Sequence, residues 1–539
     1  MTASASAERL DALTSWHADW AGLRVVVLGS SVTGFSVADT LAELRADVLV
    51  VAESADDEYA RLLPVIGARL WTGPLDTVPA EVADFRPDVI VASPGFAPHH
   101  SVIAWARSSG VAVWGDIELA WRVRDKVLRA DGSAADWVLI TGTNGKTTTT
   151  QLTATMLAAG GLRAAPCGNI GVPVLDAVRD PAGFDVLVVE VSSHQLWYLG
   201  LQTGPDRVSP YASVCLNLAA DHLQWHGSFD AYRDAKAFVY ENTRIACIYN
   251  KADVATREMV EEADVVEGCR AIGFDLGVPG PSDLGIVDGL LVDRAFLDAR
   301  HSQALELTTL DDLASRGLAA PHVVSNILAA SALARALGVQ PEAIHDALEV
   351  FRLDPHRIEV VATARGVTWV DDSKATNPHA AASSLAAYPG AVWVLGGDLK
   401  GVDIDALVAA RGPASKAAIV IGVERTGIVA AFARHAPAVP VFEVDHAQTE
   451  DVMAEVVQLA AGVARDGDTV LLAPAAASFD QFSSYADRGT RFADAVKAHL
   501  GRAVIGLGAA DAHGDTTDHD ERDGEADGDD DRTTPRSVD

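Results

Sequence analysis

Short apolar runs alternate with segments of helical period along most of this chain, the pattern of strands feeding helices in α/β units with parallel sheets. The first unit opens with Arg24–Leu28 (RVVVL), passes a glycine-bearing turn and an amphipathic stretch at 37–44, and returns at Asp47–Ala52 (DVLVVA), a Rossmann-like βαβ. A further strand is expected at 88–92 and a helix from about Gly115, after which the polar stretch 124–136 reads as a linker. A second block begins with a strand at 137–141 that runs into a glycine-rich turn and a helix with Leu152, Met156 and Leu157 on one face. Buried strands at 186–189 and 213–217 and helices at 321–337 and 341–350 complete it. The third block places strands at 367–370, 392–395, 418–421 and 469–472 between helices.

These blocks divide the chain into a Rossmann-like N-terminal domain (1–133), a central P-loop ATPase-like α/β domain (134–353), a C-terminal Rossmann-like α/β domain (354–503) and an acidic tail (504–539). The tail is expected to be disordered, because its last 29 residues hold 12 acidic groups against 3 arginines and no apolar periodicity. Charge then narrows the partners. With 42 Lys and Arg against 75 Asp and Glu the formal net charge is −33, which argues against a nucleic-acid partner. No apolar run is long enough to span a bilayer and the N-terminus lacks a signal-peptide pattern, so a cytoplasmic protein without membrane insertion is expected. The four cysteines are scattered without C-x-x-C spacing, so neither a disulfide framework nor a zinc ribbon is indicated.

The strongest chemical signal is 142–148 (GTNGKTT), set between strand and helix. Its glycines let backbone N–H groups face phosphate oxygens at a helix N-terminus, Lys146 can reach the outer phosphates, and Thr147 can ligate Mg²⁺. Ile140 stands where the strict Walker pattern has glycine, so the match is to a shorter G-x-x-G-K-T form. The turn 29–34 (GSSVTG) is weaker: Ser31 replaces the glycine that admits a dinucleotide pyrophosphate, which disfavours a redox cofactor and leaves a uridine nucleotide, with Glu53 at the end of the second strand, or a structural turn. Glu190 at the carboxyl end of a buried strand needs a partner or a metal, and His222 is either a second ligand or a structural histidine.

Taken in order, the segments 115–119 (GDIEL), 142–148, 168–171 (GNIG), 190–196 (EVSSHQL), 221–222 (DH), 232–236 (YRDAK), 356–357 (HR), 371–377 (DDSKATN), 396–400 (GGDLK) and 478–482 (SFDQF) resemble the Mur ligase family from about Leu23 to Leu500. Within it, 371–377 is similar to the members that add D-glutamate to UDP-N-acetylmuramoyl-L-alanine. Departures are Ser31 for glycine, His194 for an aromatic residue and Tyr485 for Phe.

The resemblance implies a probe-ready set of roles. UDP-substrate contacts would come from Val32, Thr33, Glu53, Ser54, Ser93, Asn169, Ser192 and His222. ATP would be held by Gly142, Thr143, Asn144, Gly145, Lys146, Thr147, Thr148, Asn326, Arg357, Asp372 and Lys374, and D-glutamate by Thr376, Lys400, Ser478 and Tyr485. Two Mg²⁺ would be bound through Thr147, Glu190, His222 and Lys236, the last as a carbamate formed with CO₂. Lys146, Glu190, His222, Lys236 and Arg357 would be the catalytic set of a monomeric, ADP-forming ligase. A ligase for another amino acid, a nucleotide-sugar sensor without turnover and a nicotinamide oxidoreductase are the alternatives.

Overall fold

The computed structural model describes residues 3–510 apart from 203, 205 and 445–448. Three sheets follow one another along the chain. The first contains β1 (Arg24–Leu28), β2 (Asp47–Ala52), β3 (Arg69–Thr72), β4 (Val89–Ala92) and β5 (Ala112–Gly115) in the order 3-2-1-4-5, with every pair parallel. Val25 to Leu28 are fully buried, as an apolar run covered on both faces must be. The helix expected at 37–44 occupies Val32–Glu43, so it starts directly at the turn after β1.

The second sheet is formed by β6 (Asp136–Thr141), β7 (Ala164–Gly168), β8 (Val186–Glu190), β9 (Ala212–Cys215), β10 (Ala246–Asn250), β11 (Arg270–Phe274), β12 (Asp283–Val287), β13 (Leu290–Asp293) and β14 (Leu305–Thr309), ordered 14-13-12-11-10-9-6-8-7. It is parallel from β7 through β12 and antiparallel across β12, β13 and β14, so the expected all-parallel block carries an antiparallel extension. The third sheet has β15 (Glu359–Ala364), β16 (Val367–Asp371), β17 (Val392–Gly396), β18 (Ala417–Ile421), β19 (Val441–Glu443) and β20 (Thr469–Leu472), ordered 15-16-20-17-18-19, with β15 an antiparallel edge.

The stretch 124–136 is pinned between the first two sheets: Arg124 pairs with Asp206 at 3.0 Å and Arg129 with Asp136 at 2.9 Å. At the C-terminal end the helix Tyr485–Ala510 runs seven residues into the expected tail, so 504–510 is a correction to that boundary, and 511–539 lies outside the described residues. Scattered in sequence, Cys247 on β10 and Cys269, immediately before β11, nevertheless bring their sulfurs to 3.7 Å. No helix among the described residues is long and apolar enough to cross a membrane.

Candidate functional site

Parallel strands present their carboxyl ends to one edge of a sheet, where open α/β folds bind ligands. There β6 ends and the chain turns through Gly142 and Gly145 into the helix Lys146–Ala159. Gly145 has φ +85°, and a Cβ on it would lie 2.4 Å from Asn326 Oδ1, so the turn needs glycine. Asn144 N–H donates to Asn217 Oδ1 at 2.9 Å, and Thr143 Oγ1 shares a 2.9 Å hydrogen bond with Tyr232 Oη. Lys146 Nζ donates to the carbonyls of Gly142 and Thr143 at 2.9 and 3.0 Å, held over its own loop. Burial lowers its pKa, partly countered by Glu190 and Asp221.

Beside this loop opens a cavity of about 550 Å³, within the size range of small-molecule sites. Asn144, Gly145, Thr148, Asn326, Arg357, Asp372 and Lys374, all expected to hold ATP, line it. So do His322 and His379, which the sequence did not single out. The last three of the expected set, with His379, arrive from the C-terminal domain, which is stitched to the loop by Asn377 Nδ2 donating to Asn144 Oδ1 at 2.9 Å. Burial raises the Asp372 pKa to about 6 and lowers that of Lys374 to about 8, with Arg357 adding to the latter. Lys374 Nζ sits 3.6 Å from the centre of the Tyr485 ring, a cation–π contact that joins the cavity to the expected acceptor residues.

Glu190 closes β8 and is 2% exposed. Its Oε1 accepts from Asn169 Nδ2 at 3.0 Å while Oε2, equally buried, has no hydrogen-bond partner. Gly168, at φ +102°, leaves no room for a Cβ, which would meet the Glu190 carbonyl at 2.4 Å, and this close approach aims Asn169 at the carboxylate. Lys236 is 1% exposed and donates to Thr141 Oγ1 at 3.1 Å and to the Gly142 carbonyl at 2.9 Å. Burial, reinforced by Lys146, brings its pKa down to about 7. His222 occupies a left-handed position, φ 53°, and burial lowers its pKa to about 4, leaving a neutral ring. His194 lies against it, ring centres 4.7 Å apart, and stacks on Trp225 at 4.4 Å. An orphaned carboxylate oxygen at Glu190, a hydroxyl at Thr147 and a neutral imidazole at His222 are donors of the chemistry a divalent cation takes.

Ser192 caps the helix Ser193–Leu199 in a capping box with Gln195, whose Nε2 donates to the buried Asp116 at 2.8 Å. This contact ties the GDIEL segment to the serine expected to face the substrate, and burial raises the Asp116 pKa to about 6. Around the turn after β1, Val32, Glu53 and Ser54 are exposed and Thr33 is half-buried, while the buried Ser93 Oγ has no partner. Trp225 Nε1 donates to the Gly95 carbonyl at 3.3 Å, linking this rim to His222. Thr376 and Lys400 are half-buried and Ser478 is buried, each on a different loop of the third sheet. Gly401, next to Lys400, stands 3.2 Å from Gln224 measured from a Cβ placed on it, so the Lys400 loop reaches the segment that carries His222.

Residues 140–334 match the Mur ligase middle domain and 356–476 the Mur ligase glutamate ligase domain. A UDP-N-acetylmuramoylalanine--D-glutamate ligase of Leifsonia xyli subsp. xyli is 63% identical over 92% of this chain and 97% of its own length. The chain belongs to the Mur ligase family. A protein of the same description from Tropheryma whipplei is 47% identical, covering 91% of this chain and 98% of the relative, and one from Streptomyces avermitilis is 48% identical, covering 89% and 99%. Among solved structures, the UDP-N-acetylmuramate-alanine ligase MurC of Thermotoga maritima superposes with a TM-score of 0.51 at 17% identity, covering 88% of this chain and 99% of that one, which shows the shared three-domain fold.

Proposed function

We propose that this Mur ligase adds D-glutamate to UDP-N-acetylmuramoyl-L-alanine, with ATP converted to ADP, as a cytoplasmic monomer in peptidoglycan precursor synthesis. The observation that carries the reading is the meeting, across two domains, of a glycine-turn phosphate loop and a cavity sized for a nucleotide with Arg357, Asp372 and Lys374 of the C-terminal domain. The substrate carboxylate attacks the γ-phosphorus, giving an acyl phosphate and ADP; the amine of D-glutamate then attacks the acyl carbon, loses a proton and displaces phosphate. Phosphoryl transfer asks chiefly for positioning and charge neutralisation, so no nucleophilic side chain is required.

Gly142 to Thr148 surround the phosphates with backbone N–H groups, Lys146 and Arg357 offset their charge, and Asn326, Asp372 and Lys374 hold the nucleotide. The turn bearing Val32 and Thr33, with Glu53, Ser54 and Ser93, takes the uridine end; Asn169, Ser192 and His222 face the lactoyl-alanine. Mg²⁺, at two positions, would be held by Thr147, Glu190, His222 and the carbamate of Lys236, and supplies charge neutralisation on the phosphoryl oxygens. Lys236 is suited to take up CO₂ because a pKa near 7 leaves much of its amine unprotonated at neutral pH. The carbamate exchanges a cation for an anion beside Glu190. On the acceptor side Lys400 meets the side-chain carboxylate, and Thr376 and Ser478 donate hydrogen bonds.

The deciding assay measures phosphate release with UDP-N-acetylmuramoyl-L-alanine and a panel of amino acids. D-Glutamate should give turnover, with L-glutamate, L-alanine and meso-diaminopimelate near background. A better rate with L-alanine or the diamino acid would overturn the acceptor assignment.

A further inference from the structure

Among the described residues of the C-terminal domain, the most completely hydrogen-bonded cation is not one of those proposed to touch a substrate. Arg488, one turn into the helix Tyr485–Ala510, is 0% exposed. Its Nε donates to Ser373 Oγ at 2.9 Å and Nη2 to the Ser373 and Ala476 carbonyls at 2.9 and 3.1 Å. Nη1 faces the carbonyls of Ala476, Ala477 and Gly396 at 3.2, 3.4 and 3.5 Å. Among the described residues no carboxylate lies within ion-pair distance of it. Asp371 is engaged by the Ser373 N–H at 2.8 Å and by His356 Nδ1 at 2.7 Å, and Asp480 by the Val423 N–H at 2.9 Å.

Such a guanidinium is costly to bury and would be replaced by an apolar side chain if filling space were its only task. What it contacts suggests the task. Ser373 adjoins Lys374 and precedes Thr376 by three residues; Gly396 opens the loop that ends at Lys400; Ala476 and Ala477 lead directly to Ser478. The helix that carries Arg488 begins at Tyr485, whose carbonyl accepts from Ser373 Oγ at 2.8 Å. The four groups proposed to hold the incoming amino acid thus stand on segments that converge on one planar cation. We infer that Arg488 is a positioning residue for the acceptor site, holding the 373–376, 396–400 and 476–478 loops in mutual register without touching substrate. This rests on the assignment of those loops to D-glutamate made above.

Only a guanidinium can do this. Its five N–H groups lie in one plane and point to three sides, whereas a lysine ammonium in the same space has three donors on a single atom. Gly397 keeps the approach open, since a Cβ there would lie 2.1 Å from the Ala477 carbonyl and 3.3 Å from Arg488 Nη1. The consequence is selective. Two of the three braced loops serve only the acceptor, so their displacement misplaces the amine relative to the acyl carbon and spares most of the nucleotide cavity.

The test uses the full chain with Arg488→Lys, Arg488→Ala and Ser373→Ala. Arg488→Lys should raise KM for D-glutamate about 10- to 100-fold, with far smaller changes in KM for ATP and the UDP-substrate. Guanidinium ion in the low millimolar range should restore part of D-glutamate use to Arg488→Ala, and urea at the same concentration should not. Ser373→Ala, which removes one acceptor and leaves the cation in place, should raise KM for D-glutamate by a few-fold and serves if the arginine variants do not fold. Parallel increases in all three KM values, or an Arg488→Lys or Ser373→Ala enzyme with unchanged KM for D-glutamate, would overturn the positioning role. A wild-type enzyme that releases no phosphate with D-glutamate would instead remove the functional reading on which the inference stands, and the inference with it.

Discussion

Gly145→Ala is the sharpest perturbation that the phosphate loop offers, because two separate costs can be worked from its geometry. The residue sits at φ +85°, a left-handed conformation that costs an L-residue about 1–2 kcal/mol. The added Cβ would also lie 2.4 Å from Asn326 Oδ1 and 3.0 Å from its Cγ, so the amide must withdraw by roughly an ångström. Asn326 is 7% exposed in the helix Pro321–Ala336 and has a short side chain, so withdrawal means leaving its rotamer, at about 0.5–1.5 kcal/mol. Together these come to about 1.5–3.5 kcal/mol, which expressed wholly in ATP affinity is about a 10- to 300-fold loss. The backbone cost weakens binding only where the free loop relaxes; where it stays strained, that share appears as lost stability. Calorimetric ATP titration and urea melts on the same sample should therefore account for the total between them. In the double variant with Asn326→Ala the clash is gone and the backbone cost remains, so the two effects should be less than additive by about 0.5–1.5 kcal/mol. Unchanged ATP affinity with an unchanged urea midpoint, or strict additivity, would refute the assignment of Asn326 to this wall.

Three further outcomes are expected. Lys236→Ala should lose nearly all phosphate release and recover part of it with acetate or formate, which supply the missing carboxylate; an undiminished variant would dismiss the carbamate. Lys400→Ala should weaken D-glutamate use far more than ATP binding, read as separate KM values. Asp116, whose folded pKa is raised from 3.8 to about 6, favours the folded state at low pH, and that advantage is lost as pH rises through 6. Asp116→Asn should accordingly be more stable than the parent above pH 6, by about 3 kcal/mol at most, and show no such gain near pH 4 in urea melts.

Local pattern carried the sequence reading wherever local pattern decides structure. Asp47–Ala52, Pro341–Val350 and Thr469–Leu472 fall where apolar periodicity puts them, and the strand, glycine turn and helix around Lys146 follow from one short motif. The additions to the sheets were not legible. β13 and β14 come from a stretch with weak alternation, and β15 is a partly exposed edge whose polar positions conceal it. Two contacts were invisible for a different reason: Cys247 and Cys269 meet only because β10 and β11 are neighbours, and Arg488 sits between Asp487 and Arg491 in what reads as a solvated helical face. Such pairings depend on topology, which spacing along the chain does not encode.

The same distinction explains why the residues expected at the site were legible one by one while the contacts that link them were not. Asn144 is read from sequence as one member of a phosphate turn, yet its side chain bonds Asn377, at the end of the segment proposed to select the acceptor. Lys374 is read as a nucleotide contact, yet its ammonium lies over Tyr485. On the proposed assignment the nucleotide and acceptor sites therefore touch through these side chains, and Arg357, Asp372, Lys374 and Thr376 all belong to the C-terminal domain. Because attack on the acyl carbon requires both partners in place, the proposed mechanism sets one acceptor residue, Thr376, and part of the nucleotide wall, Asp372 and Lys374, on one segment, 371–377, where a single fold of the backbone would position both.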